Sequence, residues 1–189
     1  MAYKVLNNVS VKDVTSSDLL SLKTDLLVIV INKNTKDKVV NQLAKDVSSH
    51  LKESGSSVLV PNAKSFNAKN VLLVKGFQDS DQIHKLISMY QSIAQKGNQL
   101  KAKDISIMPG TVYPKGKCEM WLIEMVAKTI ESNVYIFSET CNKTAKKPSV
   151  KKLNILVSSL TKSDLIKAKN AAKKGYAIGE GVNSAKYLG

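Results

Sequence analysis

Few residues of this 189-residue chain have the types and spacing that catalysis or metal binding requires. The two histidines, His50 and His84, lie on different predicted helices, and neither has a histidine four residues away or a neighbouring cysteine. A zinc site needs three or four such ligands brought together. Cys118 follows Lys117 at a predicted helix start, a position that can activate a thiol. We favour a structural thiol for Cys118 and helix-flank positions for both histidines.

Carboxylates and glycines give no clearer signal of chemistry. Glu119 and Glu124 are five residues apart on a predicted helix, about 140° around its axis, so they cannot act as one acid and base pair. A single glycine, Gly76, follows a strand-like run, whereas a phosphate-binding loop needs several exposed backbone N–H groups. We interpret Gly76 as part of an ordinary turn. No Gly-x-Ser-x-Gly motif is present, and the sequence predicts no active site in this chain.

The basic residues are all of one type. The chain has 29 lysines, no arginine and 15 acidic residues, which gives a formal net charge of +14. Lysine supplies a hydrated point charge rather than the planar fork with which arginine binds phosphates and bases. The favoured interpretation is a solvated lysine surface. The alternative is salt-sensitive binding of nucleic acid, at a cluster made of Lys143, Lys146, Lys147, Lys151 and Lys152.

Strand-like apolar runs alternate with amphipathic segments, which is the pattern of a single α/β domain. Leu26–Ile31 and Val71–Val74 are apolar at both alternating positions, as expected of central strands that helices cover on both sides. Helices are predicted at about 36–54, 80–96 and 117–132, and from residue 161 onward. The strand-like runs are Tyr3–Leu6, Leu26–Ile31, Ser57–Val60, Val71–Val74, Ile105–Met108, Val134–Phe137 and Leu153–Val157.

Signals for cellular location favour the cytoplasm. Leu26–Ile31 is the longest aliphatic run and is far shorter than the ~20 residues of a transmembrane helix. The first residues lack the apolar stretch and the cleavage site of a signal peptide. The only two cysteines, Cys118 and Cys141, lie in segments of different predicted type, so no disulfide is expected. We therefore predict a cytoplasmic protein with no membrane partner.

Three glycines stand close together in the last predicted helix. Gly175, Gly179 and Gly181 each weaken an isolated helix by about 1 kcal/mol relative to alanine. Their presence indicates close packing against a neighbour, part of which we expect to lie outside this sequence. Apolar residues keep helical spacing up to Leu188, with no helix-stop signal before the last residue.

This last segment resembles the helix that leads into the catalytic domain in the leucyl aminopeptidase (cytosol aminopeptidase) family. The family has a run of the form Gly-x-x-x-Ala-Lys/Arg-x-Leu, which is matched here by Gly181, Ala185, Lys186, Leu188 and Gly189. Val71–Val74 followed by Gly76, and the order of elements, are also similar to the family's N-terminal domain. The chain departs from the family at Phe77, where a second glycine is common, and at Tyr187, where an acidic residue is common.

The resemblance implies a fold and a division of the chain. Residues 1–160 would form the α/β N-terminal domain, which is similar to macro domains and has a mixed, mostly parallel sheet of about six strands with helices on both faces. Residues 161–189 would form a long linker helix that leads to a catalytic domain absent from this sequence.

The resemblance also implies a non-catalytic function in assembly or regulation. In the family, the catalytic domain removes N-terminal amino acids from peptides with two divalent metals, Mn²⁺ or Zn²⁺, and the full-length enzyme is a hexamer. By this likeness the fragment is inactive and holds no cofactor or metal. Its partners would be its own C-terminal catalytic domain, the other chains of a homo-hexamer and, as in some bacterial relatives, DNA. A macro-type nucleotide binder is the remaining alternative.

Overall fold

Six strands form one sheet in the computed structural model, which describes residues 5–32, 40, 51, 53, 55–77, 83–110, 113–135 and 148–188. The sheet order is β1-β6-β5-β2-β4-β3, with β3 antiparallel to β4 and every other neighbouring pair parallel. The predicted mixed, mostly parallel sheet of about six strands is therefore confirmed. The strands are β1 (Asn8–Asp13), β2 (Thr24–Ile31), β3 (Ser57–Pro61), β4 (Ala68–Lys75), β5 (Asp104–Met108) and β6 (Lys152–Val157).

Four helices accompany the sheet in the part of the chain that the structure describes. They are α1 (Ser16–Ser21), α2 (Ile83–Gln99), α3 (Glu119–Val134) and α4 (Lys162–Leu188). The long last helix confirms the prediction of a helix from residue 161 onward. The predicted helix at 36–54 lies outside the described residues, apart from three isolated positions. No helix among the described residues has both the length and the apolar character needed to cross a bilayer.

The central strand β2 explains why this sequence builds two apolar layers. Leu26 and Val28 face the cluster under α2, α3 and α4, whereas Leu27 and Ile29 face the cluster that includes Leu19 of α1. All four β2 side chains are fully buried. A strand that is apolar on both faces needs cover on each side; among the described residues, α2, α3 and α4 cover one face, and α1 with Ala63 and Phe66 lies on the other.

The predicted strand at Tyr3–Leu6 is wrong for its described part. Val5 and Leu6 are buried in the core but are not in a strand, and the first strand is Asn8–Asp13. The backbone N–H groups of Val5 and Leu6 instead donate hydrogen bonds to the side chain of Glu131, at 3.0 and 3.1 Å. The Glu131 carboxylate thus accepts the hydrogen bonds that the backbone of a neighbouring strand would otherwise accept.

The predicted strand at Val134–Phe137 is also wrong where the structure describes it. Val134 is the last residue of α3, and Tyr135 follows it as the helix C-cap. Ile130 and Val134 are four residues apart, and both are fully buried in the larger cluster, so the helical spacing continues to this point. Residues 136 and 137 lie outside the described residues.

α4 packs against α3 through small residues. A β-carbon added to Gly175 would overlap the backbone oxygen of Glu124, and one added to Gly179 would lie 2.7 Å from Cβ of Glu131. The expected neighbour of these glycines is therefore α3 of the same chain. Gly181 differs, because apart from its own turns of α4 no atom of the described residues lies within 4 Å of the β-carbon that it lacks.

A row of hydrogen-bonded polar side chains, here called the polar ladder, crosses four parallel strands. Ser10 Oγ donates to Asn154 Oδ1 at 2.8 Å, and Asn154 Nδ2 donates to Ser106 Oγ at 3.0 Å. Ser106 Oγ donates to Thr24 Oγ1 at 3.1 Å, and Thr24 Oγ1 donates to Asp104. Buried polar groups are tolerated when they are paired, and the ladder pairs these on β1, β6, β5 and β2.

Candidate functional site

The carboxyl ends of β2, β4 and β5 meet at one edge of the sheet, where open α/β folds commonly bind ligands. The chain leaves β2 toward β3 and β4 on one side and leaves β5 toward β6 on the other, so the connections diverge at this point. Gly76 follows β4, and Gly110 comes two residues after β5. We call the space between them the strand-end crevice, and it is lined by Val30, Asn32, Gly76, Phe77, Leu86, Met89, Tyr90 and Gly110.

Asn32 fills most of the strand-end crevice. The residue directly follows β2 and is 9% exposed. Side-chain atoms at either flanking glycine would clash with it, because a β-carbon on Gly76 would overlap Asn32 Oδ1 and one on Gly110 would overlap Asn32 Nδ2. The cavity that remains has a volume of about 10 Å³, which is room for at most one water molecule.

Tyr90 contributes the other notable polar group of the strand-end crevice. Its side chain is fully buried, and its hydroxyl has no hydrogen-bond partner of normal geometry among the described residues. Burial raises the pKa of Tyr90 far above its ordinary value, and the nearby Gly110 N–H lowers it only in part. The phenol keeps its proton well above neutral pH, so its O–H is available as a hydrogen-bond donor in the crevice.

The structure keeps the residues with catalytic potential apart. His84 is exposed in the first turn of α2, and Cys118 is exposed at the N-cap of α3. Glu124 pairs with Lys174 at 3.1 Å. Burial, and then Asp164, raise the pKa of Glu119. No group of three or more His, Cys, Asp or Glu side chains that could hold a metal occurs in the described part of the chain.

The predicted nucleic-acid cluster is only partly within the described residues. Lys151 and Lys152 are exposed at the start of β6. Lys143, Lys146 and Lys147 lie outside the described residues. Nucleic-acid binding at this cluster therefore stays a prediction.

A second surface lies on the far half of α4. Five exposed residues lie on one side of this helix, because they are spaced by one, three or four positions. We call them the terminal-helix face: Ala177, Ile178, Gly181, Ala185 and Leu188. Leu188 is 83% exposed and Ile178 37%. No member is charged, although 23% of the whole chain is. An apolar side of this kind on a surface helix is typical of a docking surface.

Comparison with known proteins gives structural likeness only. No protein-family model matches the chain, and no curated protein matches it in sequence. Solved structures do match. The chain is similar to a tomato leucine aminopeptidase mutant, with a TM-score of 0.59 and 18% identity over 90% of this chain. It spans only 36% of that enzyme, and the similar part is the N-terminal region.

Macro domains are similar to the same extent. The macro domain of ganglioside-induced differentiation-associated protein 2 has a TM-score of 0.61 and 16% identity, over 91% of this chain and 86% of that one. A Trypanosoma brucei macrodomain in complex with ADP has a TM-score of 0.57 and 13% identity, over 90% of this chain and 71% of that one. Identities this low show the fold alone. The chain therefore has a macro-domain-like fold, similar also to the N-terminal region of leucine aminopeptidase.

Proposed function

We propose that this chain is the non-catalytic N-terminal domain of a leucyl-aminopeptidase-type enzyme, in which α4 supports a following catalytic domain. That domain would remove N-terminal amino acids from peptides with two divalent metals, Mn²⁺ or Zn²⁺, and the full-length chains would assemble as a hexamer. The observation that carries the proposal is the terminal-helix face, which is apolar and exposed on a fold similar to that enzyme's N-terminal region.

The terminal-helix face is suited to packing against another domain. Gly181 has open space where a β-carbon would be, so a neighbouring helix or loop could approach the backbone of α4 closely. Full burial of an aliphatic side chain such as Leu188 contributes about 1.5 to 3 kcal/mol. The other side of α4 packs against α3, which leaves the terminal-helix face for the catalytic domain that we propose.

We predict that residues 1–189 do not hydrolyse leucine p-nitroanilide in the presence of Mn²⁺, because no metal-holding group occurs in their described part. The same chain extended through the reading frame that follows should hydrolyse it, and a chelator should abolish that activity. Steady-state rates of the two purified proteins are the measurement. Turnover by residues 1–189, or a reading frame that ends at residue 189, would refute the proposal.

A pair of variants tests the docking surface itself. Leu188→Ser removes an exposed apolar side chain of the terminal-helix face, and Ile166→Ser removes one that is 61% exposed on the first half of α4. In residues 1–189 both should leave stability within about 0.5 kcal/mol of the parent. In the extended protein only Leu188→Ser should lower the thermal midpoint. Equal effects of the two variants there would argue against docking on this face.

A macro-type nucleotide binder is the second candidate, and the strand-end crevice is the observation that favours it. The crevice combines two glycines with the Asn32 amide and a buried Tyr90 hydroxyl at the edge where such folds bind ligands. Its volume of about 10 Å³ argues in the opposite direction. Pockets for ligands of nucleotide size are roughly 300 to 1,000 Å³, and the Asn32 side chain would have to move before a nucleotide could enter.

We predict that titration calorimetry of the chain with ADP-ribose, and separately with ADP, gives no binding heat. Asn32→Ala enlarges the crevice and should strengthen any binding there. Gly110→Val forces its side chain against Asn32 and closes the crevice, and a thermal unfolding curve shows whether this variant is folded. Heat with the parent chain that Gly110→Val abolishes would favour the nucleotide binder over the aminopeptidase domain. Heat that survives Gly110→Val would place a nucleotide elsewhere than the crevice.

A further inference from the structure

Glu131 is a fully buried carboxylate with no cationic partner among the described residues. It lies in α3 and is 0% exposed. None of the ion pairs in the described part of the chain includes it. Its oxygens instead accept from the backbone N–H groups of Val5 and Leu6, at 3.0 and 3.1 Å. Burying an ionisable group without a counter-ion is costly, so a group retained here is expected to contribute something specific.

The same carboxylate also accepts a hydrogen bond from Asn183 in the last turns of α4. Asn183 is 0% exposed, and its Nδ2 donates to Glu131 Oε1 at 3.2 Å and to the Glu131 backbone oxygen at 3.0 Å. One turn further on, Lys186 Nζ donates to the backbone oxygen of Ser132 at 2.6 Å. Glu131 Oε1 is therefore shared between Val5 near the start of the chain and Asn183 near its end.

A second link joins the same two segments directly. The Tyr176 hydroxyl lies 2.9 Å from the backbone oxygen of Leu6 and 2.9 Å from Glu180 Oε1. A hydroxyl has one proton, so it can donate to only one of these acceptors at a time. The hydrogen bond from Tyr176 to Leu6 thus competes with the one from Tyr176 to Glu180 inside α4. The hydrogen bonds to Glu131 form whichever acceptor the Tyr176 hydroxyl uses.

We infer that Glu131 makes Val5–Leu6 and the end of α4 (Asn183–Leu188) one conformational unit, so that loosening either segment loosens the other. Exposed segments open locally at lower free energy than the core, and Ala185–Leu188 are exposed, which supplies the two states that such coupling needs. Coupling of this kind is reciprocal. Since Ala185 and Leu188 of the terminal-helix face lie in the same stretch, a partner that covers this face would also tighten residues 5 and 6.

Amide hydrogen exchange of the full chain, followed by NMR, tests the coupling. Asn183→Ala removes the α4 side of the contact and leaves residues 5 and 6 unchanged in sequence. Exchange at the Val5 and Leu6 amides should then accelerate by about tenfold or more relative to Val28 in the central strand, which corresponds to ~1.4 kcal/mol. Acceleration confined to α4 would overturn the inference.

Two further variants separate coupling from general loosening of α4. Glu124→Gln removes the ion pair with Lys174, which also joins α3 to α4 but does not involve residues 5 and 6. It should leave the exchange of Val5 and Leu6 as in the parent. Glu131→Gln should accelerate exchange at both ends. Acceleration of Val5 and Leu6 by Glu124→Gln as strong as by Asn183→Ala would also overturn the inference.

Discussion

Replacing Gly175 by alanine should lower the free energy of unfolding by about 3 kcal/mol, near the upper end of what overpacking costs. The added β-carbon would overlap the backbone oxygen of Glu124. That oxygen belongs to the main chain of α3, so it cannot move aside as a flexible side chain would. Alanine is the better helix former by about 1 kcal/mol, and the clash outweighs this gain. Urea unfolding of the two proteins measures the difference.

Gly181→Ala is the matched control for this prediction. It makes the same substitution in the same helix, but no atom from another described element lies within 4 Å of the new β-carbon. The higher helix propensity of alanine is here not offset by a clash, so the free energy of unfolding should rise by about 0.5 to 1 kcal/mol. Gly179→Ala should also destabilise, but less than Gly175→Ala, because its β-carbon would lie 2.7 Å from Cβ of Glu131 and 3.0 Å from the backbone oxygen of Lys128. A Gly175→Ala protein as stable as the parent would mean that α3 and α4 do not pack as described.

Glu131→Ala should lower the free energy of unfolding by about 3 to 5 kcal/mol at pH 7. The substitution leaves the N–H groups of Val5 and Leu6 without an acceptor and removes one of the two acceptors of the Asn183 amide, whose bond to the backbone oxygen of residue 131 remains. Each unpaired buried donor costs about 1 to 3 kcal/mol, which exceeds what is regained by removing a buried carboxylate. Thermal and urea unfolding should agree on the loss, and a cost below about 1 kcal/mol would contradict the hydrogen bonding described.

The pH dependence of Glu131 has a definite sign. Burial raises the pKa of its carboxyl, the nearby Glu180 adds to this, and the bonds from Val5, Leu6 and Asn183 oppose it without reversing it. A carboxyl whose pKa is raised on folding binds more protons in the folded state, so its contribution to stability falls as pH rises above about 4.5.

The comparison with Glu131→Gln isolates this contribution, because glutamine does not titrate. The free energy of unfolding of the parent minus that of Glu131→Gln should be larger near pH 4.5 than at pH 7. Asp18 and Asp25, whose pKa values are lowered, titrate alike in both proteins and cancel. A difference that grows as pH rises would show that the carboxyl of Glu131 is held ionised instead.

Apolar pattern predicted the interior of this fold better than its edges. Leu26–Ile31 and Val71–Val74 are buried on both faces, so their apolar character alone identifies them as strands. β1 alternates Val9 and Val11 with polar residues, because one of its faces stays half exposed. The apolar pattern therefore predicts the first strand in the more apolar run before it, Tyr3–Leu6. In that run, the backbone N–H of Leu6 donates to the side chain of Glu131, which is 125 residues away in the sequence. No local pattern can reveal such a contact.

The strand-end crevice could be predicted only in part. The sequence indicates an ordinary turn at Gly76, and no motif identifies Asn32, although both line the crevice. Both follow strands of the sheet interior, yet strand order decides whether they meet, and the sequence does not state that order. The packing of Gly175 and Gly179 was predicted from composition, whereas its partner, α3, became clear only from the geometry.

The polar ladder limits which strand alignments the protein can adopt. Runs such as Ile105–Met108 and Leu153–Val157 are apolar enough to tolerate several offsets as far as burial alone is concerned. Sliding β6 by two positions would keep Leu153 and Ile155 on the same face of the sheet, but it would place Lys152 or Leu156 opposite Ser10 and Ser106 in place of Asn154. The ladder thus penalises misaligned sheets during folding, at a place where the hydrophobic residues alone would not discriminate.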